Sequence, residues 1–287
     1  MKTVGFVDFY LDEWHANQYP AMIAAHNEQY GTDYRVQYAW AEIDAPPSGG
    51  LHTDEWCEKY GVERCATIEE LCVKCDHVIV LAPADPEKHL AYAERVFRCG
   101  KSAYIDKTFA PDHRTAKEIF SLAEKYGVKC FSSSALRYAQ ELADYAEDAL
   151  SVLTTGGGAD MEEYIIHQIE MVVKCLGCGA ARVQYSKHAD REQAEVIYED
   201  GRHATMLFCP CLPFSLTVAK GTGTSKHFPI KSAFFQRMIG AIIRFFETGE
   251  TPFEPTQTLE IMRIREVVLH ARREGAALSE IRDCCGT

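Results

Sequence analysis

Over residues 1–130, short apolar runs alternate with stretches of helical period. Residues 4–7 read as a strand, followed by a helix over about 12–30 that is kinked or interrupted at Pro20. Residues 34–43 form a second strand, and the Pro- and Gly-rich stretch 45–50 leads to a helix near 53–60. Thr67 stands three residues before Glu70, the spacing of a capping box, and opens a short helix. His77-Val78-Ile79-Val80-Leu81 lacks polar alternation and reads as a strand buried on both faces. Asp85-Pro86 supplies a cap and a first-turn proline for a helix that runs to Cys99 and ends at Gly100. A strand over 102–105, a helix over 112–126 and a strand over 128–132 complete the series. Strand and helix in alternation call for a parallel sheet covered on both faces.

After residue 131 the rhythm changes. A helix over 138–150 precedes the run Gly156-Gly157-Gly158, and a long helix over 161–176 follows it. Strand-like segments at 181–188, 194–198, 204–209 and 214–219 are separated by turns such as Glu199-Asp200-Gly201, the pattern of an open antiparallel sheet. Helices over 232–248 and 257–275 close the chain. The expectation is an α/β nucleotide-type domain over residues 1–130 and an α+β domain over 131–287. An open sheet has an apolar face that needs cover, so a homodimer or higher homo-oligomer is expected.

Composition narrows the function classes. Hydrophobic residues make up 47% and charged residues 25%, the balance of a globular protein. Forty-two acids against thirty bases give a net charge of −12, which argues against a nucleic-acid surface and against a polybasic membrane anchor. The apolar run at the N-terminus stops at Asp8, too short for a signal-peptide core, and no stretch reaches the roughly eighteen apolar residues of a membrane span. A soluble, cytoplasmic protein with a small-molecule substrate is expected. Among its twelve cysteines, Cys72/Cys75 and Cys175/Cys178 have CxxC spacing. Those pairs lie about a hundred residues apart, against roughly 15–20 in a zinc ribbon, and each sits in an apolar, helix-like segment. They read as reduced core thiols, with no metal site.

Several blocks carry candidate chemistry. Leu81-Ala82-Pro83 is followed by His89. Gly100-Lys101-Ser102-Ala103-Tyr104-Ile105-Asp106-Lys107-Thr108 is similar to a GK-x-V-x-x-EKP signature. Glu163-Tyr164-Ile165-Ile166-His167-Gln168-Ile169-Glu170 is similar to a D-x-G-x-H-x-x-D helix, and the tail from Phe235 to Ala271 includes Thr248-Gly249-Glu250-Thr251-Pro252-Phe253. In this order the blocks resemble the glucose-fructose oxidoreductase / inositol dehydrogenase / rhizopine-catabolism family (Gfo/Idh/MocA). The resemblance implies an N-terminal Rossmann-type domain binding NAD(H) or NADP(H), and a C-terminal domain with an open, mostly antiparallel sheet. It further implies hydride transfer at a carbinol or carbonyl carbon of a sugar, polyol or related metabolite. Carried over residue by residue, Lys107 is the acid/base, and His167 and Glu170 position substrate. His15 resembles a histidine of the family's first helix.

Elementary chemistry agrees with these roles. A hydride leaves an alcohol carbon readily only if the hydroxyl proton leaves with it, and a partly desolvated lysine is able to take that proton. Lys107 follows a strand at the carboxyl end of a parallel sheet, where ligands bind in open α/β folds. His167 and Glu170 are three residues apart and share a helix face, with Glu163 one turn earlier to orient the imidazole. Arg137, in Ser134-Ala135-Leu136-Arg137-Tyr138, is a candidate clamp for an anionic or hydroxylated substrate.

The cofactor-binding candidates are Asp8, Phe9, Tyr10, Glu42, Pro83 and His89. A dinucleotide loop normally carries G-x-G-x-x-G, so that backbone amides at a helix N-terminus approach the diphosphate. Here the loop is Asp8-Phe9-Tyr10-Leu11-Asp12-Glu13, with no glycine and with acids at 8, 12 and 13. At ~4 Å and an effective dielectric near 20, each acid–phosphate pair costs about 4 kcal/mol before screening. Asp12 and Glu13 also suit a helix cap and first turn. Glu42 or Asp44, at the end of the second strand, stands where an acid accepts a ribose hydroxyl, which favours NAD over NADP. Three readings result: an NAD-dependent oxidoreductase of sugar-like or polyol substrates, a metabolite-binding or regulatory protein of the same ancestry that has lost the cofactor, or a non-redox lyase or hydrolase using Lys107 and His167.

Overall fold

The computed structural model describes residues 1–143, 148–275 and 279–281, which divide into two units. The first comprises Met1–Ser133 with Met238–Phe253, and the second Ser134–Arg237 with Glu254–Thr287.

In the first unit β1 (Lys2–Asp8), β2 (Tyr34–Ala41), β3 (Glu63–Arg64), β4 (His77–Val80), β5 (Ala103–Ile105) and β6 (Cys130–Phe131) form one sheet in the order β3-β2-β1-β4-β5-β6. Every neighbouring pair is parallel. Helices cover both faces: α1 (Trp14–Tyr30), α2 (Thr53–Tyr60), α3 (Ile68–Lys74), α4 (His89–Arg98) and α5 (His113–Lys125). That enclosure explains the unbroken apolar strands, because Phe6, Val7, Val78, Ile79, Val80, Tyr104 and Ile105 are all fully enclosed. Caps set the helix starts: Thr67 Oγ1 accepts from the Glu70 amide at 3.0 Å, and Asp112 Oδ1 from the Thr115 amide at 2.7 Å. α1 runs through Pro20 without interruption and ends at Gly31, whose φ of 70° takes the left-handed turn of a C-cap. The strand order reverses between β1 and β4, the crevice where open α/β sheets take ligands.

The second unit is built on a seven-stranded sheet. Its strands are β7 (Ala149–Gly156), β8 (Ala180–His188), β9 (Arg191–Tyr198), β10 (His203–Phe208), β11 (Ser215–Lys220), β12 (Ser225–Pro229) and β13 (Ser279–Glu280). Their order is β12-β11-β7-β10-β9-β8-β13, antiparallel except for β7 beside β10. The short helix α6 (Gln140–Ala143) precedes β7, and α7 (Met161–Leu176) and α9 (Pro255–Glu274) bury their apolar stripes in this unit, through residues such as Ile165, Ile169, Ile264 and Val268. On β7, Val152 and Thr154 are buried whereas Leu153 is 42% exposed, so the sheet has an open face.

The expected helix over 138–150 is corrected. Ala135–Tyr138 is a short 3₁₀ turn, α6 covers Gln140–Ala143, and β7 already begins at Ala149; residues 144–147 lie outside the described residues. β7 itself was not expected. Its closing glycines fit the turn there, since a Cβ at Gly157 would collide with the Cys209 and Pro210 carbonyl oxygens. α8 (Phe234–Thr248) crosses the boundary between units, and its second half packs on the first sheet: the Phe246 ring stacks on His77 at 4.5 Å, and Phe245 meets Phe131 edge-on at 5.1 Å.

Candidate functional site

At the carboxyl end of β5 the chain places Asp106 and Lys107 side by side, both buried. Lys107 Nζ donates to the Pro83 carbonyl at 3.1 Å, which joins two of the sequence candidates. Asp106 is 1% exposed. Its Oδ1 accepts from the Tyr104 hydroxyl at 3.0 Å, with the Tyr19 hydroxyl at 3.4 Å, and its Oδ2 lies 3.4 Å from His15 Nδ1. Burial resists protonation of the His15 ring, yet the Asp106 and Glu13 carboxylates outweigh it and raise the imidazole above its usual value. The lysine therefore stands beside a buried aspartate that, with Glu13, raises the pKa of the neighbouring His15. His15, Tyr19 and Tyr104 belong to this cluster, and only His15 carried a sequence signal, as part of a resemblance.

The loop between β1 and α1 departs from its expected role. Asp8, a candidate cofactor contact and source of repulsion, is turned inward and 1% exposed. Its Oδ1 accepts from the Phe9 amide at 2.7 Å and the Ala82 amide at 2.9 Å, while Oδ2 is buried with no hydrogen-bond partner. Burial, reinforced by Glu13 and Asp106, pushes its carboxyl well above the usual aspartate value of 3.8 against the pull of those amides. Asp8 is thus a structural acid whose burial favours the protonated form. A carboxyl raised on folding contributes stability below its unfolded value, and that contribution is lost as pH rises through the folded value. Asp8→Asn, which keeps the acceptor and cannot ionise, is expected to melt with wild type near pH 4 and above it near pH 8, by a margin that widens as pH rises between the two. The same difference at both pH values in thermal melts would contradict this.

Glu13 caps α1 from within. Its Oε1 accepts from the Ala16 amide, and its Oε2 accepts from the His15 amide at 2.8 Å and lies 3.2 Å from His15 Nδ1. Its side chain is only 9% exposed. Asp12 accepts from Asn17 Nδ2 at 2.9 Å and the Leu51 amide at 2.8 Å, and these bonds hold its carboxyl below the usual value in spite of partial burial. Phe9 and Tyr10 are half-buried neighbours, with Lys88 Nζ 4.6 Å above the Phe9 ring. Glu42 receives Lys88 Nζ at 2.5 Å and the Tyr92 hydroxyl at 2.7 Å, which together hold its carboxyl low. His89 is corrected: it is fully enclosed, its ring nitrogens face the Phe109 and Leu81 carbonyls at 3.1 and 2.5 Å, and burial keeps the imidazole below its usual value. It ties α4 to the sheet and is not a cofactor contact. As folded, these residues do not fit a dinucleotide diphosphate, because the first-turn amides it would use already bind a carboxylate of this chain.

In the second unit, His167 is half-buried on α7, with its Nδ1 2.7 Å from Ser134 Oγ. The Tyr164 and Phe214 rings flank it, each at 5.7 Å. Ser134, which no sequence pattern pointed to, is held by Glu170: its amide donates to Glu170 Oε1 at 3.0 Å. Glu170 Oε2 receives Arg137 Nη1 at 3.1 Å, and Arg137 Nη2 also reaches Gln257 Oε1. Both side chains of this ion pair are 4% exposed, and burial pushes the Glu170 carboxyl up against the pull of Arg137 and the Ser134 amide. Glu170 and Arg137, expected at the substrate, form instead a buried brace behind Ser134 and His167. Glu163 is exposed, and Ser134 Oγ takes the ring-orienting place expected of it.

Among the described residues no group of three or more His, Cys, Asp or Glu is arranged to hold a metal ion, and no helix is long and apolar enough to cross a membrane. The described cysteines are free thiols, with Cys72, Cys75 and Cys175 buried and Cys178 exposed; Cys284 and Cys285 lie outside the described residues.

No protein-family model and no curated protein matches this sequence. Solved structures do match the fold across nearly its whole length. A scyllo-inositol dehydrogenase from Lactobacillus casei aligns with a TM-score of 0.74 and 13% identity, over 98% of this chain and 98% of its own. An oxidoreductase from Thermotoga maritima gives 0.75 and 13%, over 98% of both chains. GenD2 of gentamicin A biosynthesis, solved in complex with NAD, gives 0.76 and 13%, over 99% of this chain and 97% of its own. At this identity the likeness is one of fold.

Proposed function

We propose that this chain is an oxidoreductase acting on a CH–OH group of a sugar-like or polyol substrate, with Lys107 as the acid/base and a nicotinamide dinucleotide, NAD in preference to NADP, as redox partner. The observation that carries the reading is the buried Lys107 amine, fixed on the Pro83 carbonyl at the carboxyl end of β5 beside Asp106. In that role its nitrogen takes the proton of the substrate hydroxyl on oxidation and returns it on reduction. His167, held by Ser134 and flanked by Tyr164 and Phe214, supplies a hydrogen-bonding group between aromatic rings, a surface that suits the alternating C–H and O–H groups of a sugar ring. The dehydrogenases and the NAD complex that share the fold support the same reading.

A specific observation also favours a second reading, a metabolite-binding or regulatory protein without cofactor: the Glu13 carboxylate sits on the amides of the first turn of α1. Assaying the purified chain against inositols, alditols and aldoses with NAD or NADP separates the two. The oxidoreductase reading expects nicotinamide-dependent turnover of at least one polyol or sugar; binding of such compounds with no turnover favours the rival.

A further inference from the structure

A carboxylate at the start of a helix is ordinarily a short, solvated cap. Glu13 is different on three counts. It is long enough to turn back on its own helix, where it takes the His15 and Ala16 amides together. Its side chain is nearly enclosed, and the His15 ring, raised toward its cationic form, faces the same oxygen at 3.2 Å. Two amides and an imidazole are the donor set that an anion held at a helix N-terminus receives. The place is also particular, since it lies between the end of β1 and the start of α1, where the strand order of the first sheet reverses. Asp8 Oδ2 is buried at the end of the same strand without a hydrogen-bond partner, and its carboxyl is pushed up first by burial and then by the Glu13 charge. An unsatisfied buried oxygen is costly for a loop that merely joins a strand to a helix.

We propose that Glu13 is an internal ligand that occupies the anion position of the dinucleotide cradle, so that a dinucleotide binds this chain only by displacing it. The inference rests on the proposed nicotinamide-dependent function, and it adds that cofactor affinity is set by competition with a side chain of the same chain. Glu13 leaves by rotating about its own side-chain bonds, which releases the His15 and Ala16 amides without unwinding α1.

The test is a titration of NADH into wild type, Glu13→Ser and Glu13→Gln, followed by nicotinamide fluorescence with no substrate present. Serine remains a good cap, so the helix start is kept while the carboxylate is removed; glutamine keeps the size and removes the charge. Thermal melts of each variant establish that it is folded. The expected result is NADH binding at least about ten-fold tighter in Glu13→Ser than in wild type, with Glu13→Gln between them. Equal or weaker binding in both folded variants, including no binding by any of the three proteins, overturns the proposal. Tight NADH binding by Glu13→Ser with no turnover of any polyol or sugar leaves the internal ligand standing and removes the oxidoreductase reading, so the two failures are distinguishable.

Discussion

Replacing Lys107 with methionine is expected to lower turnover about 10²- to 10⁴-fold, the range a positioned general acid/base contributes. Methionine has nearly the same length and shape as the lysine stem, and what it gives up is the hydrogen bond from Nζ to the Pro83 carbonyl at 3.1 Å. The fold should survive the change, so thermal melts of Lys107→Met should lie close to wild type while steady-state rates collapse. The loss should fall on kcat more than on KM, because the proton moves in the chemical step and contributes less to holding the substrate. A variant with undiminished turnover would remove Lys107 from the mechanism.

The largest stability effect is expected in the second unit. Arg137→Met leaves the Glu170 carboxylate enclosed without its cation and strips Gln257 of a donor. Breaking one side of a buried ion pair typically costs about 3–5 kcal/mol, since the remaining charge must be neutralised or hydrated. Urea denaturation should show that loss as a lower midpoint with little change in slope. Adding Glu170→Gln to Arg137→Met should recover more than half of it, because glutamine still accepts from the Ser134 amide and carries no charge. If the double variant is no more stable than the single one, the cost lies in lost packing of the arginine stem and not in an unpaired carboxylate. The same double variant bears on function, since Ser134 orients the His167 ring through Nδ1.

The fold and the site were legible to different depths, for physical reasons. The first unit could be read because its strands are buried on both faces and appear as continuous apolar runs between capped helices, as at 77–81. β7 could not, because it alternates. Only its inward row is enclosed, and that row includes Thr154, whose hydroxyl donates to Gln168 Oε1 at 2.7 Å. A polar residue in the buried row, followed by glycines, looks like the end of a helix running into a loop. Lys107 and His167 stand in spaced motifs, and the structure sets the first on the Pro83 carbonyl and the second against Ser134. His89, Arg137 and Glu170 have the residue types of ligands, but their partners are groups of the protein: two carbonyls for His89, and one another for Arg137 and Glu170. Type and spacing do not reveal whether a polar side chain meets substrate or its own fold.

The acids of the first loop show the same limit most clearly. From sequence Asp8, Asp12 and Glu13 are three like charges facing a diphosphate, with Asp12 and Glu13 also suited to a helix cap and first turn. In the structure they do three separate things: Asp8 is internal and its burial favours the protonated form, Asp12 fastens the Leu51 amide, and Glu13 holds the first-turn amides of α1. The net charge of −12 is therefore not what matters at this loop. What matters is a single carboxylate and the donors it holds.

A CH–OH oxidoreductase built around Lys107 stands or falls on that panel of polyols and sugars, assayed at millimolar NAD with wild type and Glu13→Ser side by side. At least one substrate should yield its carbonyl product and reduced nicotinamide in equal amounts, faster in Glu13→Ser at subsaturating NAD. Turnover that proceeds without nicotinamide, or no turnover by either protein on any member of the panel, would contradict this function.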